Sequence, residues 1–169
     1  MDNLKEQVVK QMEAYFGQDK RRTRHAHRVT VFAEQMLASE PAADPEVVIA
    51  AAVLHDIGIH AAEKKHRSTS GHYQEIEGPP IARRMLQALG LEESKISEVC
   101  DIIAHHHTPG KIDSPNFRIL YDSDWLVNLP DDHGEESKEV LGRRIDSVFL
   151  TEKGRQMARQ LYLDGNATP

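Results

Sequence analysis

The sequence predicts an all-α fold, a compact single-domain bundle of six to eight helices. Apolar residues recur at three- and four-residue steps along most of the 169 residues, which is the spacing of one face of an α-helix. No segment of useful length alternates apolar and polar residues, as a half-buried strand would. The length suits a single hydrophobic core. We therefore expect residues 1–169 to form one domain, with its core at about 22–130 and C-terminal helices in 131–169 packed on it.

Three helices are expected before the middle of the chain. The first begins near the N-terminus, and the second runs from about 22 to 39. The third has Asp44 as its N-cap and Pro45 as its first residue, since the missing N–H of proline is tolerated there. It is apolar on every side and runs to about Ile57, where Gly58 is expected to end it.

The segment 59–78 is polar and lacks helical periodicity, which indicates a long loop covering a functional site. The pair Pro79-Pro80 is expected to open the fourth helix, because proline inside a helix removes a hydrogen bond and clashes with the preceding turn. A fifth helix follows, with its apolar stripe ending at Ile103. The remaining helices are predicted at about 115–129, 135–149 and 151–163.

Composition excludes several classes of protein. The longest apolar run, residues 47–54, is too short to cross a bilayer, and the N-terminus lacks the apolar core of a secretory signal. A lone cysteine, Cys100, cannot form an internal disulfide, so we expect a cytoplasmic protein without membrane partners. A formal net charge of −6 argues against strong nucleic-acid binding, and a phosphate substrate would need a local positive centre.

Histidines and aspartates fall on faces that the periodicity predicts to be buried. On the second helix His25 shares the apolar stripe, whereas His27 lies roughly 200° around the axis and should point elsewhere. The third helix ends in "LHDIG", which places His55 and Asp56 directly after a wholly apolar run. Burying an unpaired carboxylate is costly, so this position calls for a compensating cation.

Two later helices add further candidates. His106 continues the stripe of the fifth helix, with His105 about 100° away. On the sixth helix Asp124 lies on the core side, and Asp122 is expected to face solvent. Glu77, four residues before an apolar position, could join them.

Each of these residues also has an ordinary structural explanation. His25 alone could be a hydrogen-bonded core histidine, and Asp124 alone could cap a turn. The histidines at 105–107 could be an exposed run at a helix end, where positive charge suits the helix dipole. Together, however, four buried imidazoles and two carboxylates form the ligand set that a divalent transition metal selects. The sequence therefore predicts a metal site.

Three segments carry a family resemblance: "RHAHRV" at 24–29, "LHDIG" at 54–58 and "DSDWLVNL" at 122–129. In this order they resemble the signature of the HD superfamily of metal-dependent phosphohydrolases, over about residues 22–129. The resemblance implies an HD-domain-like fold. It also implies that His25, His55, Asp56 and Asp124 hold a first metal.

Two further segments, "EIEGPPIARRML" and "IIAHHH", resemble those that carry a second metal in some subfamilies. The resemblance assigns His105 and His106 to that metal. The histidine expected before the fourth helix is absent, so either Glu77 takes its place or His72 reaches in from the loop. The implied cofactor is one or two divalent transition metals, chosen from Fe, Mn, Ni, Co or Zn.

The resemblance implies hydrolysis of a phosphate ester or anhydride of a nucleotide or other small phosphate, with Asp56 and His55 as the catalytic pair and a metal-activated water. Basic and imidazole side chains of the predicted loop are candidates for substrate binding, although a solvated charged loop is the alternative: His60, Lys64, Lys65, Arg67 and His72. Trp125 is expected in the core rather than as a platform for a base. A di-iron oxygenase and a non-catalytic metal-bound regulatory module are the alternative functions, and a homodimer is left open.

Overall fold

The computed structural model describes residues 2–133 and 136–164. In these ranges it contains nine α-helices and no strand, which confirms the all-α prediction. The helices are α1 (Asp2–Phe16), α2 (Lys20–Leu37), α3 (Pro45–Leu54), α4 (Ile59–His66), α5 (Gly71–Ala88), α6 (Glu93–Ile103), α7 (Pro115–His133), α8 (Lys138–Val148) and α9 (Glu152–Tyr162).

Helix α3 is the centre of the bundle. Every residue from Val47 to Leu54 is buried, and the helix packs against α1, α2, α6 and α7. It begins as predicted, because the Asp44 carboxylate accepts hydrogen bonds from the N–H groups of Glu46 and Val47. A helix that is apolar all round must be surrounded. Its C-terminal end therefore lies in the middle of the bundle.

The prediction of a loop at 59–78 is wrong. Residues 59–66 form α4, which buries Ile59 and Ala62, and α5 already begins at Gly71 after a short connection. Two buried residues in a helix of eight give too little apolar periodicity to be recognised against a polar background. This extra helix is one reason why the described chain has nine helices rather than six to eight.

The pair Pro79-Pro80 lies inside α5 instead of opening it, which corrects a second prediction. Each proline removes one i→i−4 hydrogen bond, at a cost of about 3 kcal/mol in an ordinary helix interior. Tertiary packing overrides this cost. A Cβ built on Gly58 would lie 2.5 Å from the backbone nitrogen of Gly78, so α5 crosses the turn after α3 at a distance that only glycine permits.

The expectation that Asp122 faces solvent is also wrong. Asp122 is fully buried on α7, and its carboxylate accepts hydrogen bonds from the backbone N–H groups of Leu150 and Thr151 and from the Thr151 hydroxyl, at 2.6–2.8 Å. Thr151 in turn caps α9. Helix α7 therefore supports the C-terminal helices on one of its sides. The predicted helix at 135–149 corresponds to α8, and its first predicted residue, 135, lies outside the described residues.

No single helix among the described residues is long and apolar enough to cross a membrane. Helices α3 and α4 taken as one pair, bent by 40°, would pass on length and composition alone.

Candidate metal centre

The site begins at the turn that ends α3. The helix stops at Leu54 rather than continuing to Ile57, and the chain turns through residues 55–58. His55 is fully buried there, and its Nδ1–H donates to the carbonyl oxygen of Ala52 at 2.9 Å. A carbonyl can only accept, so the neutral His55 ring carries its proton on Nδ1. Its Nε2 then carries a lone pair, which is the state a metal ligand requires.

Two other helices direct side chains at the same point. His25 Nε2 of α2 lies 3.1 Å from His55 Nε2 and 3.0 Å from Asp124 Oδ1 of α7. Asp56 Oδ2 is 3.6 Å from His25 Nε2 and 3.7 Å from His55 Nε2. Asn128, one turn further along α7, donates to Asp124 Oδ1 and fixes that carboxylate. Two imidazole nitrogens and two carboxylates thus converge from three parts of the chain.

The end of α6 supplies a second group of donors. His106 is buried, its Nδ1–H donates to Ile103 at 2.7 Å, and its Nε2 lies 3.7 Å from Asp56 Oδ1. Among the described residues this buried Nε2 has no hydrogen-bond partner. Potential ligand atoms of Asp56, His106 and His107 lie within 4.8 Å of one another, as do those of His25, His55 and Asp56. Asp56 therefore stands between the two groups.

The electrostatics of the cluster call for a cation. Burial opposes charge on the Asp56 carboxyl, but His55 and His106 lower its pKa below the usual range, and His25 and His55 do the same for Asp124. Burial would lower the pKa of His55, yet the two aspartates raise it to about 9. In the absence of any other cation, a proton on His55 offsets the carboxylates.

His107 has the opposite character. His107 is exposed by its accessible surface, but desolvation by the protein atoms around its ring and the neighbouring His106 lower its pKa to about 4, so the ring is neutral at pH 7. A neutral imidazole can donate a lone pair to a metal. The donor set of nitrogen and carboxylate oxygen, together with the unpartnered Nε2 of His106, fits one or two divalent transition ions.

The cluster opens into a cavity of about 320 Å³. His25, Asp56 and Asp124 line it together with four arginines of α2: Arg21, Arg22, Arg24 and Arg28. Gln74 of α5 also lines it. This amide is buried and donates to Thr69, while its Oε1 has no partner among the described residues. A negatively charged protein thus places a concentration of positive charge beside the metal ligands.

Comparison with known proteins places the chain in a family. A family model for the HD domain matches residues 22–129, well over half of the sequence. The chain belongs to the HD domain family. It is also similar to the crystal structure of a predicted HD superfamily hydrolase from an uncultured Thermotogales bacterium. That match has a TM-score of 0.68 and 27% identity, and it covers 92% of this chain and 83% of the other. No curated protein matches the sequence.

The HD-domain match spans all four residues predicted to hold the first metal, and the structure brings His25, His55, Asp56 and Asp124 together. His27, predicted to point away from the core, pairs with Glu13 at the surface. Both observations agree with the helical stripe read from the sequence.

The residues predicted for the second metal are placed differently. Of His105 and His106, only His106 joins the cluster, because the Nδ1–H of His105 donates back to the carbonyl oxygen of Asp101 at 2.8 Å. His107 takes the neighbouring position. Glu77 is buried but its carboxylate binds Lys65 Nζ at 2.5 Å and His66 Nε2 at 2.9 Å, and it belongs to neither group of ligand atoms.

The residues predicted to bind substrate do not line the cavity. Lys64 and Arg67 are exposed on and after α4, and Lys65 is held by Glu77. His60 pairs with Asp19 at 2.8 Å, and the exposed His72 ring contacts Tyr73.

Sequence reasoning missed the arginines, although a signal existed. Arg21, Arg24 and Arg28 lie at i, i+3 and i+7 on α2, and His25 falls on the same side. The cavity could have been predicted from this stripe of positive side chains beside His25, and not from the polar segment that was taken for a loop.

Proposed function

We propose that this HD-family chain is a metal-dependent phosphohydrolase that cleaves a phosphate ester or anhydride of a nucleotide or another small phosphate. The observation that carries the proposal is the convergence of His25, His55, Asp56 and Asp124 at the base of an arginine-lined cavity. The chain belongs to a family whose resolved neighbour is described as a predicted hydrolase, which agrees with hydrolytic chemistry.

The residues of the cluster would hold the metal in the manner their geometry allows. His25, His55 and Asp124 offer ligands on one side of Asp56, and His106 and His107 offer ligands on the other. A divalent ion bound here lowers the pKa of a water ligand towards neutrality and offsets charge on phosphoryl oxygens. The backbone carbonyls of Ala52 and Ile103 fix the ring orientations of His55 and His106.

The proposed reaction is a hydrolysis. The water oxygen forms a new bond to phosphorus, the bond from phosphorus to the leaving oxygen breaks, and the two water protons end on the products or in solvent. The arginines are always charged and present planar donors that match phosphate oxygens. Their part is to bind and orient the phosphate so that the scissile bond lies beside Asp56.

A di-iron oxygenase would use the same ligand groups and remains the competing proposal, as does a non-catalytic metal-bound module. Neither function requires four arginines in the cavity next to the ligands. The arginines therefore favour a phosphate substrate. Consumption of oxygen by iron-loaded protein, without release of phosphate from any ester, would favour the oxygenase.

The test combines metal analysis with activity. Protein purified without chelator should contain a divalent transition metal and should hydrolyse members of a panel of nucleotides and phosphate esters, with phosphate, pyrophosphate or tripolyphosphate measured as the released product. His55→Ala and Asp56→Ala should lose metal and lower kcat/KM by at least about 100-fold, since even indirect partners of a metal site are worth about 10–100-fold. His27→Ala is the matched control, a histidine of α2 paired with Glu13, and should retain both properties. Full activity in Asp56→Ala, or in metal-free wild type, would contradict the proposal.

A further inference from the structure

A second cavity adjoins the arginine-lined one. It has a volume of about 220 Å³ and is lined by Tyr121 and Trp125 of α7. His107, Asp124 and Asn128 line both cavities. We call the first cavity the arginine lobe and the second the aromatic lobe. The predicted metal ligands lie where the two lobes meet.

The arginine lobe carries four arginines and three carboxylates, those of Asp56, Asp124 and Asp131. Within the described residues, the guanidinium groups of Arg21, Arg22, Arg24 and Arg28 make no hydrogen bond or ion pair. Like charges three and four residues apart on a helix repel each other. Arg21 and Arg22 also lie in the first turn of α2, where the helix dipole disfavours positive charge and where the N-cap Asp19 is the nearby acidic residue. Both effects are relieved by an anion.

The number and spacing of these groups indicate more than one phosphate. A single phosphate group is satisfied by one or two bidentate arginines. Arg21, Arg24 and Arg28 are spread over two turns of α2, or about 10 Å at 1.5 Å per residue. An extended anion would contact all of them, whereas a lone phosphate would leave part of the lobe unpaired.

The aromatic lobe offers a surface of a different kind. Trp125 was expected in the core, but it is only partly buried, and its ring lies 6.5 Å from that of Tyr121 at an angle of 55°. Their faces are therefore not stacked on one another. Aromatic side chains that line a cavity can stack on planar rings, and such stacking tolerates different bases.

We propose that the cleft binds a nucleotide lengthwise, with its base in the aromatic lobe, a chain of two or more phosphates in the arginine lobe, and the phosphate nearest the nucleoside beside Asp56 and Asp124. The substrate class is then a nucleoside di- or triphosphate rather than a monophosphate. This inference rests on the proposed function for the assignment of the cleaved bond, but the binding arrangement can be tested separately.

The sequence supplies a reporter for the test. Trp125 is the sole tryptophan of the chain, so intrinsic fluorescence reports on the aromatic lobe alone. Metal-loaded full-length protein would be titrated with methylene-bridged adenosine and guanosine triphosphate analogues, with the two nucleoside monophosphates, and with inorganic tripolyphosphate. Calorimetry would give the affinities. An α,β-methylene bridge prevents hydrolysis between the first and second phosphates, and chromatography of the titrated sample would verify that the bond to the nucleoside is also intact, so that binding is measured without turnover.

The expected pattern has three parts. At least one triphosphate analogue should bind about ten-fold or more tightly than its monophosphate, because further charged hydrogen bonds form in the arginine lobe. Both nucleotides should change the tryptophan emission, whereas tripolyphosphate should bind with little change. Trp125→Leu should weaken the analogue by about ten-fold and leave tripolyphosphate unaffected.

Arg21→Ala/Arg24→Ala should weaken the analogue and tripolyphosphate by about ten-fold or more, and the monophosphate much less. The matched control is Arg118→Ala/Arg143→Ala, which removes two helical arginines that pair with Asp113 and Glu139 away from the cleft. It should bind every probe as wild type does.

Equal affinity for mono- and triphosphate, or an unchanged affinity in Arg21→Ala/Arg24→Ala, would overturn the inference. Unchanged emission from Trp125 in the presence of bound nucleotide would overturn the assignment of the base to the aromatic lobe. Binding as described without any hydrolysis would leave the inference standing and contradict the proposed function. Hydrolysis of simple phosphate esters at a rate that Arg21→Ala/Arg24→Ala does not change would support the proposed function and contradict the inference.

Discussion

Asp122 and Asp124 are two residues apart on α7, and both carboxyl groups are buried, yet their surroundings give them different roles. Asp124 faces the imidazoles of His25 and His55, which lower its pKa against the effect of burial. Asp122 faces the backbone of residues 150 and 151, and burial raises its pKa despite those hydrogen bonds. The first carboxylate is placed to hold a cation, and the second holds the connection between α8 and α9.

Asp122→Ala should therefore destabilise the fold without affecting the metal. The change leaves the buried N–H groups of Leu150 and Thr151 without their acceptor, which should lower the free energy of unfolding by about 1–3 kcal/mol. Urea denaturation would measure this loss, and elemental analysis would show wild-type metal content. Asp124→Ala should show the opposite pattern, with metal lost. Loss of metal in Asp122→Ala would contradict the division of roles.

The three consecutive histidines at the end of α6 lead to a second prediction at this scale. His106 and His107 lie beside Asp56, whereas the ring of His105 is turned back to Asp101. If the protein holds two metals, His106→Ala/His107→Ala should reduce the content from about two ions to about one, and His105→Ala should leave it at about two. Elemental analysis after reconstitution with manganese or iron would decide. A lower metal content in His105→Ala would instead support the assignment of His105 as a ligand that was made from the sequence.

At the scale of elements, the N-terminus of α3 is held by charge and hydrogen bonds together. Burial opposes ionisation of Asp44, but its hydrogen bonds to Lys95 and to the N–H groups of Glu46 and Val47 lower its pKa. Because the folded pKa is below the unfolded value, the stabilisation is present above the unfolded pKa of about 3.9 and is lost as pH falls through the folded value.

Asp44→Ala should thus lower the free energy of unfolding by about 1 kcal/mol at pH 7, as removal of an N-cap does. The difference between variant and wild type should shrink at acid pH, where the wild-type carboxyl also loses its charge. Urea titrations at pH 7 and pH 3 would measure both values. A difference that is the same at both pH values would show that the carboxylate charge contributes nothing.

The crossing of α5 over the turn after α3 gives a further prediction for an element. A Cβ on Gly58 would lie 2.5 Å from Gly78 N and 2.7 Å from the Gln74 carbonyl oxygen, and neither backbone atom can move away without moving α5. Gly58→Ala should lower the free energy of unfolding by about 1–3 kcal/mol or more, as overpacking of a core site does. Gly90→Ala is a useful contrast, because the added Cβ meets no atom there and only its positive φ of 73° opposes the change. Equal stability of Gly58→Ala and wild type in urea would contradict this account of the crossing.

How far the elements could be predicted depended on how much each one buries. Helices α2, α3 and α6 have long apolar stripes, so their existence and their inward faces were evident from spacing. Helix α4 buries only Ile59 and Ala62, and a polar segment with two inward residues resembles a loop. Pro79-Pro80 misled for another reason. Local propensity favours ending a helix at these prolines. The close contact between Gly58 and Gly78, two residues that are distant in sequence, overrides that propensity.

The same limit applies to the site. The motif and the stripe both indicated His25, His55, Asp56 and Asp124, because each is fixed by the register of a single element. The choice between His105 and His107 depends on how the chain turns after Ile103, which spacing does not determine. Glu77 was a candidate because it lies four residues before an apolar position and where the resemblance expects a histidine. Its carboxylate instead pairs with Lys65 and His66 of α4, a helix that was not predicted.

At the scale of the whole molecule, the net charge of −6 conceals a strong asymmetry. Positive charge is concentrated on one side of α2, where four arginines line the cavity, and the buried carboxylates lie directly behind them. A local field of this kind can steer anions to a cleft even when the total charge repels them. From the composition we expected that a phosphate substrate would need a local positive centre such as a metal, and the structure adds four arginines beside the candidate ligands.

The candidate ligands also connect distant parts of the chain. His25 is on α2, His55 and Asp56 follow α3, His106 follows α6, and Asp124 is on α7. A metal bound by these groups in the folded state and not in the unfolded chain would stabilise the bundle as a whole. At a free metal concentration of about 100 times the Kd the gain is about 2.7 kcal/mol, which corresponds to a rise in Tm of about 5–10 °C for a chain of this size.

Scanning calorimetry of chelator-treated protein, before and after reconstitution with manganese, iron, nickel, cobalt or zinc, should show this rise with at least one metal. His25→Ala should lose the metal-dependent increment, since Asp124 and His55 would no longer close the first group of ligands. His27→Ala should keep it, because that ring pairs with Glu13 at the surface and not with the cluster. A Tm that none of the five metals changes would count against a bound metal even if activity were found, because a ligand that joins two helices and two turns cannot bind the folded state without stabilising it.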